Sequence, residues 1–133
     1  RKLIYASTGN SYTSIDTKYS DAVIAYDLES GSMKWAVQVT PKDNFIMGCR
    51  KPGDNNCPEQ MGPDYDFGTS PILRRMKTGK DVIVVAQKSG VVYGLDPDQR
   101  GKVLWQTQVS KGGALGGVEW GHAVDETQAY AAA

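Results

Sequence analysis

Two cysteines lie in one polar loop, and their spacing defines the most direct chemistry in the sequence. Cys49 and Cys57 are the only cysteines of the chain. Their spacing suits a local disulfide, which would close a short loop and add about 2–3 kcal/mol of stability; the alternative is two free thiols. A zinc site would need at least two more ligands, and His122 is the only histidine. A disulfide would indicate an oxidising compartment, such as the periplasm or the outside of the cell.

Three further side chains in loops could take part in chemistry, and each also has a structural interpretation. Asn10 follows Gly9 and by itself is typical of a left-handed turn residue. Asp66 by itself is typical of a turn carboxylate that accepts backbone N–H groups, and Lys88 lies in a Lys-Ser-Gly hairpin turn. His122 is of the right type for a general base. It stands at a repeated strand start, however, which favours a structural role.

Two stretches of the chain are diverged copies of one another, and they frame these loops. The copies cover residues 23–35 and 91–105. Each has a short apolar strand that ends in an aspartate, a turn that contains Gly, and a strand that opens on Trp. We interpret the two aspartates, Asp27 and Asp96, as Asx-turn residues. Such a repeat indicates an architecture in which one unit buries its apolar face only against its neighbours.

Short β-rich runs separated by turn signals continue along the rest of the chain. Strands are predicted at 3–7, 22–26, 33–39, 69–73, 82–87, 91–95 and 104–109, and no amphipathic helix is evident. The prediction is an all-β fold, a partial β-propeller with about two to three four-stranded antiparallel blades. Residues 1–133 form a single segment with repeat units at roughly 1–39, 66–109 and 118–133. The inserted loop at 40–65 is long enough to be typical of a functional loop.

Composition excludes some classes of protein. The chain has 133 residues with 15 basic and 15 acidic side chains, so it lacks the basic stripe that nucleic-acid binding needs. No apolar run reaches the roughly 20 residues that span a bilayer. The chain starts at Arg1 without an initiator Met and stops at Ala133 within a third repeat, so we expect a fragment of a larger protein. Its open blade faces are expected to promote self-association.

The repeat itself, Ala/Gly-x-Asp followed by Gly-x-x-x-Trp, resembles the tryptophan-docking repeat of quinoprotein dehydrogenases. These proteins are eight-bladed propellers that bind pyrroloquinoline quinone (PQQ) and calcium. In them the Trp docks between adjacent blades, where a large flat ring contributes much buried area. The resemblance implies this role for Trp35 and Trp105.

Three other stretches match the same family in the same order. Residues 8–10, Thr-Gly-Asn, resemble the motif whose Asn binds calcium. Residues 63–68 resemble the segment that carries the proposed catalytic base, and residues 87–90 resemble the turn whose Lys or Arg approaches the quinone. The roles that follow by resemblance are calcium ligand for Asn10, catalytic base for Asp66 with Asp64 as the alternative, and cofactor-binding electrostatic stabiliser for Lys88.

The reaction implied by the resemblance is the oxidation of an alcohol by a quinone. A base takes the hydroxyl proton while hydride leaves the carbon. Calcium polarises the quinone carbonyl, and a lysine ammonium stabilises the negative charge that develops on the reduced quinone. The expected partners are an alcohol substrate and an electron acceptor such as a cytochrome c.

The cysteine loop and the later segment 117–121, Gly-Val-Glu-Trp-Gly, look most like the polyvinyl alcohol dehydrogenases. This subfamily is periplasmic and carries haem c elsewhere in its chain. Some positions depart from the wider family: Tyr65 stands where many members have Trp, and Ser11 where alcohol dehydrogenases often have Pro. These departures bear on the substrate and on whether the segment is active alone, and we expect the fragment by itself to be inactive.

The alternative function is a non-catalytic propeller of the same repeat family that acts as a binding or assembly scaffold. Such a scaffold would share the tryptophan repeat but would not need Asn10, Asp66 and Lys88 together. Their joint presence therefore favours the enzyme.

Overall fold

A computed structural model describes residues 1–13, 17–54 and 56–133. Within these residues the fold is all-β, as predicted, and the strands form antiparallel sheets of three, four and two strands. The strands are β1 (Leu3–Ser7), β2 (Ala22–Asp27) and β3 (Met33–Gln38) in the first sheet, β4 (Ile72–Arg75), β5 (Asp81–Ala86), β6 (Val91–Asp96) and β7 (Lys102–Gln108) in the second, and β8 (His122–Val124) and β9 (Ala129–Ala131) in the third. This arrangement is consistent with a partial propeller, although only the second sheet has the predicted four strands.

The two sequence copies have the same local structure. The pairing register shifts at Ala25–Tyr26 in β2 and at Gly94–Leu95 in β6, just before the aspartate that ends each strand. The Oδ1 atoms of Asp27 and Asp96 each accept two backbone N–H groups of the following turn at 2.8–3.2 Å. Their interpretation as Asx-turn residues is confirmed, and β1–β2–β3 correspond to β5–β6–β7. The exact boundaries of the repeat units stay a prediction.

Most predicted strands differ from the observed ones by one or two residues at an end, and the fourth begins three residues later than predicted, for a reason that lies in the backbone. The sequence predicts a strand at 69–73, but β4 covers Ile72–Arg75. Pro71 has no N–H group to donate to a ladder, and the Thr69 carbonyl accepts the Ser7 hydroxyl at 2.7 Å instead of pairing with β5. The ladder therefore begins after Pro71 and continues two residues past the predicted end of the strand, to Arg75.

The second sheet lies between the other two, and its inner strands β5 and β6 are buried on both faces. One face packs against the first sheet through Val23, Ala25, Trp35, Ile83, Val85, Tyr93 and Leu95. The other face packs towards the third sheet through Val82, Val84, Ala86, Val92 and Val118. Burial on both faces explains why β5 is apolar at almost every position. A strand with one solvent-exposed face would alternate apolar and polar residues.

The two repeat tryptophans have different surroundings. Trp35 is 7% exposed, stacks on Tyr5 with ring centroids 5.7 Å apart, and lies against Gly101 in the β6–β7 turn of the next sheet. Trp105 is 39% exposed and covers Gly94 of its own sheet. The described part of the third sheet has no counterpart of the β6–β7 turn. The docking role implied by the resemblance is therefore observed for Trp35, and for Trp105 it stays a prediction.

A disulfide closes part of the inserted loop. Cys49 and Cys57 form a disulfide, so the favoured interpretation of the cysteine spacing is confirmed. Among the described residues, no helix is long and apolar enough to cross a membrane.

Candidate functional site

The three residues implied by the resemblance lie at one end of the sheets and meet there. Asn10 follows β1, Asp66 precedes β4, and Lys88 connects β5 to β6. The Oδ1 atom of Asp66 accepts the backbone N–H of Asn10 at 2.7 Å, and its Oδ2 accepts a hydrogen bond from Lys88 Nζ at 3.0 Å. A single carboxylate thus joins the loops of the first and second sheets.

Each residue of the Thr-Gly-Asn motif at 8–10 has its own structural role. A Cβ atom on Gly9 would lie 2.4 Å from Asp66 Oδ1, so only Gly lets the carboxylate reach the N–H of Asn10. Thr8 Oγ1 accepts the N–H of Ala22 at 3.1 Å and anchors the start of β2. The Asn10 side chain donates through Nδ2 to a backbone carbonyl of the inserted loop, which leaves its amide oxygen as the atom that could bind a cation.

Lys88 is a nearly buried ammonium group surrounded by acids. Its Nζ lies 2.8 Å from Asp64, 3.0 Å from Asp66 and 3.9 Å from Glu119, and its side chain is only 10% exposed. Burial opposes the charge, but the hydrogen bonds to Asp64 and Asp66 outweigh it and raise the pKa of Lys88. The group therefore stays positively charged and neutralises part of the acidic cluster.

The two candidate bases differ in exposure. The Asp64 side chain is 8% exposed and the Asp66 side chain is 24% exposed. Burial raises the pKa of Asp64, while its hydrogen bond with Lys88 acts in the opposite direction. Asp64 also has a left-handed backbone with φ of 63°, which is typical of a residue that shapes its loop. The geometry favours Asp66 as the carboxylate that a substrate can reach.

Asp43 shapes the loop that carries both candidate bases. It is fully buried, and its carboxylate accepts the backbone N–H groups of Asp64 at 3.1 Å, Tyr65 at 2.7 Å and Phe45 at 3.4 Å. Three N–H donors are enough to stabilise a buried carboxylate. Sequence reasoning did not single out Asp43, because a lone aspartate in a non-periodic loop carries no local signal of this role.

Asp21 lies near the acids that surround Lys88 but differs from them in its hydrogen bonding. It is fully buried, and among the described residues neither of its carboxylate oxygens has a hydrogen-bond partner. Burial, and then the neighbouring carboxylates of Asp43, Asp66 and Asp64, raise the pKa of Asp21 to about 8, while Lys88 acts in the opposite direction. Asp21 is therefore protonated at neutral pH. Sequence reasoning also missed this residue, which stands at the end of a polar loop and looks like any turn aspartate.

The protonation of Asp21 makes the stability of the fold depend on pH. Its pKa is about 8 in the folded chain and 3.8 ordinarily, so between these values the folded state holds a proton that the unfolded state releases. Stability therefore falls as the pH rises through this window, by up to about 1.4 kcal/mol per pH unit. Asp21→Asn is expected to flatten this dependence and to exceed the wild type in stability near pH 8. Urea denaturation across the window measures it, and parallel curves for the two proteins would contradict it.

His122 joins the second and third sheets. Its Nε2 lies 3.0 Å from the carbonyl oxygen of Val84, and its Nδ1 lies 3.1 Å from the hydroxyl of Thr69. Burial lowers the pKa of His122, so the ring is neutral and donates from Nε2. With both nitrogens engaged, the structural interpretation of His122 is favoured over a general base.

The residues present fit one side of a calcium site. Calcium prefers oxygen ligands. The backbone N–H of Asn10 contacts the Asp66 carboxylate, and the carboxyl of Asp21 lies in the same group of acids. In the part of the chain that the structure describes, no group of three or more His, Cys, Asp or Glu side chains is arranged to hold a metal ion. Asn10 and Asp66 would therefore need further ligands.

Comparison with known proteins confirms the predicted resemblance. No protein-family model matches the chain. Two curated proteins named polyvinylalcohol dehydrogenase do match: one from Pseudomonas sp is 49% identical and one from Sphingopyxis sp. (strain 113P3) is 46% identical. Each alignment covers 98% of this chain and 20% of the other protein. The chain is therefore a relative of the polyvinylalcohol dehydrogenases that spans about a fifth of their length.

Proposed function

We propose that this chain is part of a PQQ-dependent, calcium-assisted dehydrogenase that oxidises polyvinyl alcohol or a similar secondary alcohol. The names of its relatives support the reaction class and the substrate. The observation that carries the proposal is the position of Asp66, whose two oxygens contact Asn10 and Lys88. Asn10 is 56 positions from Asp66 in the chain and Lys88 is 22 positions from it. Both nevertheless contact this one carboxylate, as a shared chemical task would require.

Each residue has a distinct task in this proposal. Asp66 takes the proton of the substrate hydroxyl, because its carboxylate is partly exposed and held in one orientation by the N–H of Asn10. Asn10, through its amide oxygen, and Asp66 would hold calcium on one side. Lys88 keeps a positive charge beside the carboxylates, where it would counter negative charge on a bound anion. The bound quinone would supply the hydride acceptor.

The compartment and partners follow from the same proposal. A disulfide in the inserted loop is compatible with a periplasmic or secreted protein. Reoxidation of a reduced quinone needs an electron acceptor, for which we propose a cytochrome c or a haem c module elsewhere in the parent chain.

Calorimetric titration of PQQ into the full-length parent protein tests the proposal. We expect binding in excess calcium and its loss when EDTA removes the metal. The Asn10→Ala variant should need more calcium for the same binding, whereas Asn44→Ala, in the neighbouring loop, should not. A parent protein that binds no PQQ in excess calcium would contradict the proposal and favour the scaffold function.

A further inference from the structure

An open groove of about 860 Å³ lies between the first and second sheets, at the end that carries the candidate functional site. Tyr65, which lines the groove, precedes Asp66 in the chain, and the lining residues Gln87 and Ser89 flank Lys88. The N–H of Lys88 donates to the carbonyl of Asp66 at 3.0 Å. The wall of the groove and the candidate site are therefore built on the same two chain segments.

The lining of the groove combines apolar and hydrogen-bonding side chains. Val39 and Val91 contribute methyl groups from the two sheets, whereas Thr40, Ser89 and Ser110 contribute hydroxyl groups. Of the described residues in the lining, only a lysine is charged. Because polar groups in a pocket fix the orientation of what binds there, this lining suits a neutral ligand that is part hydrocarbon and part hydroxyl.

The buried side chain of Gln87 fixes the direction of two of these hydroxyl groups. Gln87 is fully buried. Its Nε2 donates to Thr40 Oγ1 at 3.0 Å, and its Oε1 accepts the hydroxyl of Ser89 at 2.7 Å. A hydroxyl group has one donor and two acceptor positions. Thr40 therefore keeps its O–H to donate to a ligand, and Ser89 keeps an acceptor position for a ligand's O–H.

The third hydroxyl group, that of Ser110, is buried without a partner. Among the described residues, no group forms a hydrogen bond with Ser110 Oγ. The side-chain amide of Gln108 donates to the carbonyls of Ser89 at 2.8 Å and of Ser110 at 2.6 Å, so both serines are held in one wall of the groove. A buried hydroxyl that lacks a partner is costly in a folded protein, and a hydroxyl group of a ligand would satisfy it.

We propose that this groove binds a stretch of a polyhydroxylated carbon chain such as polyvinyl alcohol, while another hydroxyl group of the same chain lies at Asp66. The inference rests on the proposed function, which brings such a chain to the neighbouring site. Methylene groups alternate with hydroxyl-bearing carbons in this polymer, which matches the methyl and hydroxyl groups of the lining. Thr40 donates to one hydroxyl group of the chain, and Ser89 and Ser110 accept from its neighbours.

A groove of this kind makes the enzyme prefer a polymer over a small alcohol. Contacts with parts of a substrate that lie away from the reacting carbon contribute to the rate of its conversion. The small secondary alcohol 2-butanol has the reacting group but no second hydroxyl group to place in the groove. The hydroxyl groups of the groove should therefore act on the polymer and not on 2-butanol.

Removal of two hydroxyl groups from the groove tests this in the full-length parent protein. The double variant Ser89→Ala/Ser110→Ala leaves Gln87 a donor for its Oε1, the hydroxyl of Tyr93 at 3.4 Å. We expect kcat/KM for polyvinyl alcohol, relative to kcat/KM for 2-butanol, to fall about tenfold, as the loss of one or two hydrogen bonds predicts. A ratio equal to that of the wild type would overturn the proposal.

Thr107→Val is the matched control for the double variant. Thr107 lies in β7, one residue before Gln108, and faces a different groove on the other side of the sheet. Thr107→Val also removes a hydroxyl group, but it should keep the wild-type ratio of the two kcat/KM values. An equal fall in this ratio for Thr107→Val and the double variant would show that the groove is not the cause.

Direct binding separates this proposal from the proposed function. Calorimetric titration of polyvinyl alcohol into the full-length parent protein, without an electron acceptor, should show binding that is about tenfold weaker for the double variant. Polyethylene glycol should also bind more weakly, because its ether oxygens have no proton to donate to Ser89 or Ser110. A parent protein that binds the polymer in this way but oxidises neither alcohol would support the groove and contradict the proposed function. Oxidation of 2-butanol with no binding of the polymer, or with equal binding by the double variant, would overturn the groove alone.

Discussion

Replacing Asp66 with Asn in the full-length parent protein is expected to lower turnover by about a thousandfold while the fold is retained. General-base catalysis contributes on the order of 10²–10⁴ to a rate, and an amide cannot take the hydroxyl proton. The Asn side chain would keep an oxygen for the N–H of Asn10, 2.7 Å from Asp66 Oδ1, and Lys88 would keep its contact with Asp64. Steady-state turnover with excess alcohol measures the effect, and circular dichroism confirms the fold.

Asp64→Asn is the matched control for this experiment. Both aspartates contact Lys88, at 2.8 and 3.0 Å, so each variant removes one carboxylate partner of the same ammonium group. We expect Asp64→Asn to change turnover much less, because the Asp64 side chain is 8% exposed and less accessible to a substrate. If Asp64→Asn abolished turnover and Asp66→Asn did not, Asp64 would be the base.

Replacing Lys88 with Met is expected to lower the free energy of unfolding of the chain by about 3 kcal/mol or more. Removing one partner of a buried ion pair leaves an uncompensated buried charge, which costs about 3–5 kcal/mol. Lys88 faces Asp64, Asp66 and Glu119, so its loss would leave three acids close together. Urea denaturation at neutral pH measures the change.

Two further variants test whether the loss of stability in Lys88→Met comes from the buried acids around the lysine. Lys34→Met breaks the contact of Lys34 with Asp27 at 3.3 Å, where the lysine side chain is 46% exposed, and should cost less than about 1 kcal/mol. Adding Asp64→Asn to Lys88→Met removes one of the stranded charges and should restore part of the loss. Similar losses for Lys34→Met and Lys88→Met would show that the cluster does not depend on its lysine.

The local elements of the fold could be predicted from the sequence because their causes are local. Strands β1, β2 and β6 follow from short apolar runs bounded by turn signals. The Asx turns at Asp27 and Asp96 follow from the aspartate that precedes each turn. The disulfide between Cys49 and Cys57 follows from their closeness in the chain. Each inference needs only neighbouring residues, so no knowledge of packing is required.

Part of the candidate site could be predicted by resemblance, and part could not. Asn10, Asp66 and Lys88 were identified from short motifs, and the structure brings them into contact. Asp43 and Asp21 were not identified, because their roles depend on distant groups. Asp43 accepts N–H groups up to 22 positions away, and the raised pKa of Asp21 depends on burial and on carboxylates from another loop.

The sequence alone was enough to predict the all-β class, the repeat and the similarity to the polyvinylalcohol dehydrogenases, and it favoured the disulfide over free thiols. These properties depend on residue type, on periodicity and on identity along the chain. The docking of Trp35 became visible only in three dimensions, because its partner, the Gly101 turn, belongs to the next sheet and lies 66 positions away in the chain. The surroundings of each carboxylate also depend on distant residues, and donors or a cation beside a buried carboxylate favour its charged form. Asp66 has the N–H of Asn10 and the ammonium of Lys88, and Asp21 has neither.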